Sequence, residues 1–272
     1  MTLEEKYQQL KSYIKNLESL AIAYSGGVDS TFLLKVAYDV LGEKVIAVTA
    51  TSSTYPKREF EEAKRWIEDI GAKHIIIESE ELDIDGFSEN PTNRCYYCKK
   101  ELFEKVKEVA ENNGIVFVAD GSNYDDLGDF RPGMQAAAEL KVVSPLKEVK
   151  MTKEDIRIIS KDLQLPTWSK PAFACLSSRF PYGHKITKEK LSMVEQAEDY
   201  LYQLGFRQLR VRHHEDTARI ELGNDEFDRF INKNLMRQVG SELKRLGFTY
   251  VTLDLNGYRT GSMNEVLKNG DL

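Results

Sequence analysis

The chain has 272 residues, enough for one large or two modest domains with a substantial core. Apolar residues make up 41% and charged residues 30%, the balance of a globular protein and not of a disordered or fibrous one. A net charge of −6 argues against a broad nucleic-acid footprint, no apolar run has the length of a membrane span, and the charged Met1 to Lys15 segment lacks a signal peptide's apolar centre, so the expected location is cytoplasmic.

Leu3 to Leu20 carries apolar side chains at helical intervals and predicts a leading amphipathic helix that packs on a sheet. Leu20 to Tyr24 reads as a buried parallel strand, and from Asp29 apolar residues recur at helical spacing, which makes Ser25 to Val28 a strand-to-helix turn. Such a turn is an anion site. Gly26 and Gly27 can take positive φ and let backbone approach a ligand, while the N–H groups opening the helix point at it with the helix dipole behind them. The wording Ser25-Gly-Gly-Val-Asp-Ser30 is neither the Walker loop nor the dinucleotide glycine pattern. It resembles the SGGxDS pyrophosphate loop, or PP-loop, of the N-type ATP pyrophosphatases. Those enzymes adenylate a carboxyl or carbonyl oxygen, release pyrophosphate and replace AMP with nitrogen or sulfur. The likeness implies that Ser25, Gly26, Gly27 and Ser30 meet the phosphates of ATP, and that Asp29 orients the loop or meets Mg2+.

Gly42 ends that helix, and Lys44 to Ala50 is a second buried strand. The hydroxyls of Thr51 to Thr54 follow at the strand's carboxyl end, where they would contact adenosine or cap the next helix. Pro56 to Ile70 is a helix stopped by Gly71, and His74 to Ile77 is a third strand. Repeated units of this length predict an α/β fold with a doubly wound parallel sheet. Asn90 to Lys100 opens a helix running through Val109. Cys95 and Cys98, three apart at its start, can hold one metal or cluster between them, with Arg94, Lys99 and Lys100 favouring thiolates. Only three cysteines occur, so a disulfide framework is not expected.

Ile115 to Ala119 is a fourth strand. Behind it Asp120, Asp125 and Asp126 would bind Mg2+ or position a ribose, or else form a solvated turn. Phe130 to Met134 and Leu146 to Val149 continue a surface helix and connection. Thr152 and Asp155 have capping-box spacing ahead of a helix from Lys153 to Leu163. Trp168 to Gly183 has neither period, contains Pro171 and Pro181 and concentrates reactive side chains, the character of a loop that carries chemistry. From Ile186 the composition changes. Leu191 to Leu204 is helical, Gln208 to Arg212 alternates as a strand with Arg210 and Arg212 on one face, Ala218 to Leu222 is a second strand, Phe227 to Leu246 is largely helical and Tyr250 to Leu255 is a third strand. Leu-Gly-Phe at 204–206 and again at 246–248 echoes one helix-strand unit. The expected domains are 1–170, carrying the nucleotide loop, and a smaller α/β domain, 171–272, with Cys175 at the junction.

With the pyrophosphate loop, Cys175-Leu-Ser-Ser-Arg-Phe-Pro-Tyr-Gly183, Arg210-Val-Arg212-His-His and the 250–259 segment, the chain resembles the LarE family from about residue 10 to near its end. The resemblance implies an adenine nucleotide alpha hydrolase (PP-loop) fold and an ATP-dependent sulfur transferase. Such an enzyme adenylates a carboxylate of pyridinium-3,5-biscarboxylic acid mononucleotide and converts it to a thiocarboxylate, on the way to the nickel-pincer nucleotide cofactor of lactate racemase. The family divides by sulfur source. In one kind a loop cysteine surrenders its own sulfur; in the other, a Cys-x-x-Cys pair joins it to hold a [4Fe-4S] cluster. Cys95, Cys98 and Cys175 fall where the second kind puts its ligands. Zinc on the same thiols and sacrifice of Cys175 are the alternatives, and a tRNA thiolase is the competing enzyme. The resemblance further assigns phosphate binding to Ser178, Arg179, Arg210 and Arg212, and implies a homo-oligomer supplied by a sulfide donor. Glu221 is expected to partner an arginine or ligate a metal, Lys99 to reach the substrate or remain on the surface, and His213 and His214 to be structural or solvent-facing.

Overall fold

The computed structural model describes residues 1–128, 132–171, 174–259 and 261–269, the last four of these by backbone alone. They form two compact units, one of Met1–Glu81 with Asn93–Phe173 and one of Leu82–Thr92 with Ala174–Leu272.

In the first unit, α1 (Leu3–Leu17) leads into β1 (Leu20–Ala23), α2 (Val28–Leu41), β2 (Val45–Thr51), α3 (Lys57–Ile70) and β3 (Lys73–Glu78). After α4 (Arg94–Asn112) come β4 (Phe117–Ala119), α5 (Pro132–Glu139), the short α6 (Pro145–Glu148) and α7 (Lys153–Asp162). All strand pairs are parallel, in the order β3-β2-β1-β4, with Leu20 opposite both Val45 and Phe117. Alternation along the strands sends Leu20, Ile22, Val45 and Ala47 to one face, under Leu10, Ile14, Leu33 and Ile156. Ala21, Ile46 and Val48 go to the other face, under Val106 and Ala110 of α4. The doubly wound α/β sheet expected from the repeat pattern is therefore the one observed.

Local signals act as physics requires. Gly71 ends α3 in the left-handed region at φ 84°. Thr152 and Asp155 form a complete capping box on α7, as do Thr2 and Glu5 on α1, which the sequence reading passed over. Phe130 and Arg131 lie outside the described residues.

The second unit contains α8 (Lys188–Gln203), β5 (Leu209–His214), β6 (Thr217–Leu222), α9 (Asn224–Phe230), α10 (Lys233–Arg245) and β7 (Tyr250–Leu253). Its sheet runs β5-β6-β7, antiparallel across the first pair and parallel across the second. The helical stretch expected over 227–246 is broken, because the Asn232 side chain accepts the N–H groups of Asn234 and Leu235 and starts a new helix. Leu82–Thr92 belongs to this unit although it precedes α4. Asn90 anchors it, donating to the carbonyls of Phe180 and Pro181 at 3.2 and 2.6 Å, pairings between residues some ninety positions apart that no local pattern announces.

Candidate active site

The strand order reverses between β1 and β4, and the crevice beyond their carboxyl ends is where a doubly wound sheet receives a ligand. The glycine turn leaves β1 at this point and the 120–126 loop leaves β4. Gly26 sits at φ 65°, and a Cβ there would stand 2.6 Å from the Ala63 Cβ, so glycine is required twice over. Gly121 brings the other loop against the first turn of α2, where a Cβ would lie 3.0 Å from the Ser30 nitrogen. Among the described residues, the N–H groups of Gly26 and Gly27 find no acceptor, and no side chain caps the helix at Gly27. They are the donors an anion would use.

Ser25 and Ser30, expected at the phosphates, brace the turn from within: their hydroxyls are 3.1 Å apart, and the Ser25 N–H donates to the Ser30 Oγ. Asp29 accepts the Lys153 ammonium at 2.5 Å and the Asn123 amide at 3.4 Å. Lys153 also donates its backbone N–H to Asp125 at 2.8 Å, which ties the two loops together. Asp120 accepts the Ser122 and Ser144 hydroxyls, and Asp126 the Asn123 N–H, so the acidic loop is a hydrogen-bonded turn. Ser52 and Thr54 bond each other at 3.0 Å, and burial raises the pKa of Glu81.

Cys95 and Cys98 lie at the start of α4 and are in no disulfide, the former exposed and the latter half-buried. The Cys98 sulfur is 3.7 Å from one Glu81 oxygen, and the other oxygen of that buried carboxylate is unpartnered. Lys99 lies along α4 with its ammonium 5.4 Å from the Phe103 ring centroid. Within each unit, no group of three or more His, Cys, Asp or Glu side chains that could hold a metal stands together among the described residues.

In the second unit, Cys175 is a free, half-buried thiol that begins a 3-10 turn, Leu176–Arg179. Ser178 donates its hydroxyl to the Cys175 carbonyl at 2.8 Å. The Arg179 guanidinium, 1% exposed, is clamped by both oxygens of Glu198 at 2.8 and 2.9 Å and donates to the carbonyls of Ala174 and Cys175. Its donors thus shape the turn that carries the thiol. Arg212 reaches the same turn, donating to the Ser178 carbonyl at 2.8 Å while both Glu221 oxygens hold it at 3.0 and 2.7 Å. Glu221 also takes Arg219 at 3.1 Å, so it is the arginine partner that the sequence suggested. Burial, then the like charge of Arg179, lowers the Arg210 pKa to about 10, so the guanidinium stays charged at neutral pH and a bound anion would stabilise it. Burial likewise lowers His213 to about 4, and the ring lies stacked against Phe180 with centroids 5.1 Å apart, so this histidine is a neutral core residue.

Sequence reasoning missed Tyr55, Glu81, Lys153, Lys170 and Glu198. Only Glu198 had a visible signal, an acidic side chain at the apolar spacing set by Leu191, Val194 and Leu201 on α8. The others become site residues through contacts made after folding.

Residues 19–166 match the arginosuccinate synthase N-terminal HUP domain family. The chain is 46% identical over 265 residues to an uncharacterized protein of Synechocystis sp. (strain ATCC 27184 / PCC 6803 / Kazusa), covering 97% of this chain and 99% of that one. It is 33% identical over 254 residues to an uncharacterized protein of Methanocaldococcus jannaschii, covering 92% and 94% of the two chains. It is 40% identical over 272 residues to the pyridinium-3,5-bisthiocarboxylic acid mononucleotide synthase of Lactiplantibacillus plantarum, covering 100% of this chain and 98% of that enzyme. Identity that runs unbroken through both units, with an open-handed glycine turn at the sheet's switch point, leads to one conclusion: the chain belongs to the LarE family and is an ATP-using enzyme of the PP-loop class.

Proposed function

We propose that this enzyme adenylates the carboxylates of pyridinium-3,5-biscarboxylic acid mononucleotide and converts them to thiocarboxylates. The observation that carries this is the end-to-end identity to a synthase named for the bisthiocarboxylic product. The two units' chemistry agrees with it: an anion-ready glycine turn in one, and a dense set of guanidiniums in the other.

A substrate carboxylate oxygen attacks the α-phosphorus of ATP, the bond to the β-phosphate oxygen breaks and pyrophosphate leaves. The N–H groups of Gly26 and Gly27 would take the charge that develops on that leaving group, and Asp29, held by Lys153, keeps the turn aligned or meets Mg2+. A hydrosulfide then attacks the acyl carbon, forming the C–S bond as the C–O bond to AMP breaks. The sequence is repeated at the second carboxylate. Anhydride formation is needed because a free carboxylate is a poor electrophile. Arg210 and Arg212 bind the substrate phosphate and carboxylates, while Arg179 and Ser178 act through the turn that presents Cys175.

A [4Fe-4S] cluster held by Cys95, Cys98 and Cys175 would supply an iron without a protein thiolate, on which external sulfide can be delivered. The donors suit such a group. Cys95, Cys98 and Cys175 are in no disulfide, and the first two begin one helix whose dipole favours thiolates.

The test is anaerobic turnover of the purified protein with MgATP, sulfide and the pyridinium mononucleotide, read by pyrophosphate release and mass spectrometry. The proposal expects thiocarboxylate product, repeated turnovers and an intact Cys175. A loss of hydrogen sulfide from Cys175 after one turnover would assign the sulfur to that residue, and pyrophosphate release only with tRNA would overturn the substrate.

A further inference from the structure

The outer side of the glycine turn carries two contacts that the chemistry above does not use. The Tyr55 hydroxyl donates to the Ser25 carbonyl at 2.9 Å, and the Lys170 ammonium lies 3.4 Å from the Gly26 carbonyl oxygen. Both donors belong to one wall. Tyr55 stands just ahead of α3, and Lys170 is pinned to that helix by Glu59 at 2.6 Å and Glu62 at 3.0 Å, with the Trp66 ring centroid 4.2 Å away. Burial, then the charge of Glu59, raises the Tyr55 pKa, so its hydroxyl stays a donor at any working pH.

A trans peptide holds its C=O and the following N–H on opposite sides of one plane, and no described peptide bond is cis. Turning the Ser25 and Gly26 carbonyls toward the α3 wall therefore turns the N–H groups of Gly26 and Gly27 away from it, and neither N–H has an acceptor among the described residues. Lys170 brings no net positive charge with it, since Glu59 and Glu62 carry two negative charges against its one. Its contribution is the held carbonyl.

We infer that Tyr55 and Lys170 are positioning residues for the ATP half-reaction: they clamp the outward carbonyls of the turn so that two inward N–H groups are presented together to the pyrophosphate moiety. The inference rests on the ATP-using reading of the glycine turn. It is tested by calorimetric titration of the full chain with magnesium pyrophosphate, alongside the melting temperature of the ligand-free protein.

Tyr55→Phe removes one hydroxyl and leaves the ring. Its pyrophosphate Kd should rise about tenfold, the worth of one misaligned hydrogen bond to an anion, with the melting temperature within about 4 °C of the parent. Lys170→Met should show at least the same loss of affinity. If both variants bind pyrophosphate as the parent does, or if Tyr55→Phe loses affinity only together with a collapse in melting temperature, the clamp is refuted. Failure of the parent chain itself to bind pyrophosphate would instead remove the ATP reading and this role with it.

Discussion

Replacing Gly26 and Gly27 separately by alanine makes the same chemical change one residue apart, with opposite expected results. At Gly26 the backbone has φ 65°, and a left-handed alanine costs about 1–2 kcal/mol. The new methyl would also sit 2.6 Å from the Ala63 Cβ on α3, an overlap that forces the turn and helix apart at about 1–3 kcal/mol. Together these give about 2–5 kcal/mol, a third or more of the whole stability of many domains. Gly27 has φ −79° and ψ 170°, which alanine adopts freely, and its Cβ would meet only the Ser25 Oγ at 3.4 Å. The change there should stay within about 1 kcal/mol. Both tryptophans, Trp66 and Trp168, lie in the unit that holds the turn, so urea unfolding followed by tryptophan fluorescence reads this unit alone. Adding Ala63→Gly to Gly26→Ala should recover the steric part and leave the dihedral part. Equal midpoints for the Gly26→Ala and Gly27→Ala proteins would refute the reasoning.

Glu198→Gln leaves the buried Arg179 guanidinium short of its counter-charge, a loss of about 3–5 kcal/mol in the second unit. Because Arg179 holds the Ala174 and Cys175 carbonyls, the same variant should expose the Cys175 thiol to a disulfide reagent faster than the parent, and an unchanged rate would dissociate the pair from the turn. The folded-state pKa of Glu198 lies below its ordinary value: burial raises it, but Arg179 lowers it further. The stability it contributes is thus complete above about pH 4.3 and lost as pH falls through the lower folded value. His213 works in the opposite range. With a folded pKa near 4, only the unfolded chain takes up its proton between about pH 6.5 and 4, so stability should fall across that window and do so less in His213→Leu, as measured by circular dichroism at several pH values. Lys153→Met should cost less than about 1 kcal/mol of stability yet raise the KM for MgATP, and an unchanged KM would remove Lys153 from the alignment of Asp29.

Periodicity and punctuation were enough to read most of the first unit. Apolar runs at strand length, helices ending at Gly42 and Gly71 and the Thr152–Asp155 box are local signals, and local signals survive in one dimension. The Ser25–Ser30 turn was legible for the same reason, since positive φ and a helix start are properties of adjacent residues. What the sequence could not state is who meets whom. The arginines of β5 were visible as a charged face, but that Glu198 clamps Arg179 and Glu221 clamps Arg212 is decided by the packing of α8 and β6. Glu81 beside Cys98, Lys153 on Asp29 and the Tyr55–Lys170 wall behind the glycine turn join residues separated by 17 to 144 positions. Hydrogen bonds and ion pairs have a range of a few ångströms in space and none along the chain, so the sequence determined the sheet and its glycine turn, and only the tertiary structure decided which side chains hold that turn and the Cys175 loop in shape.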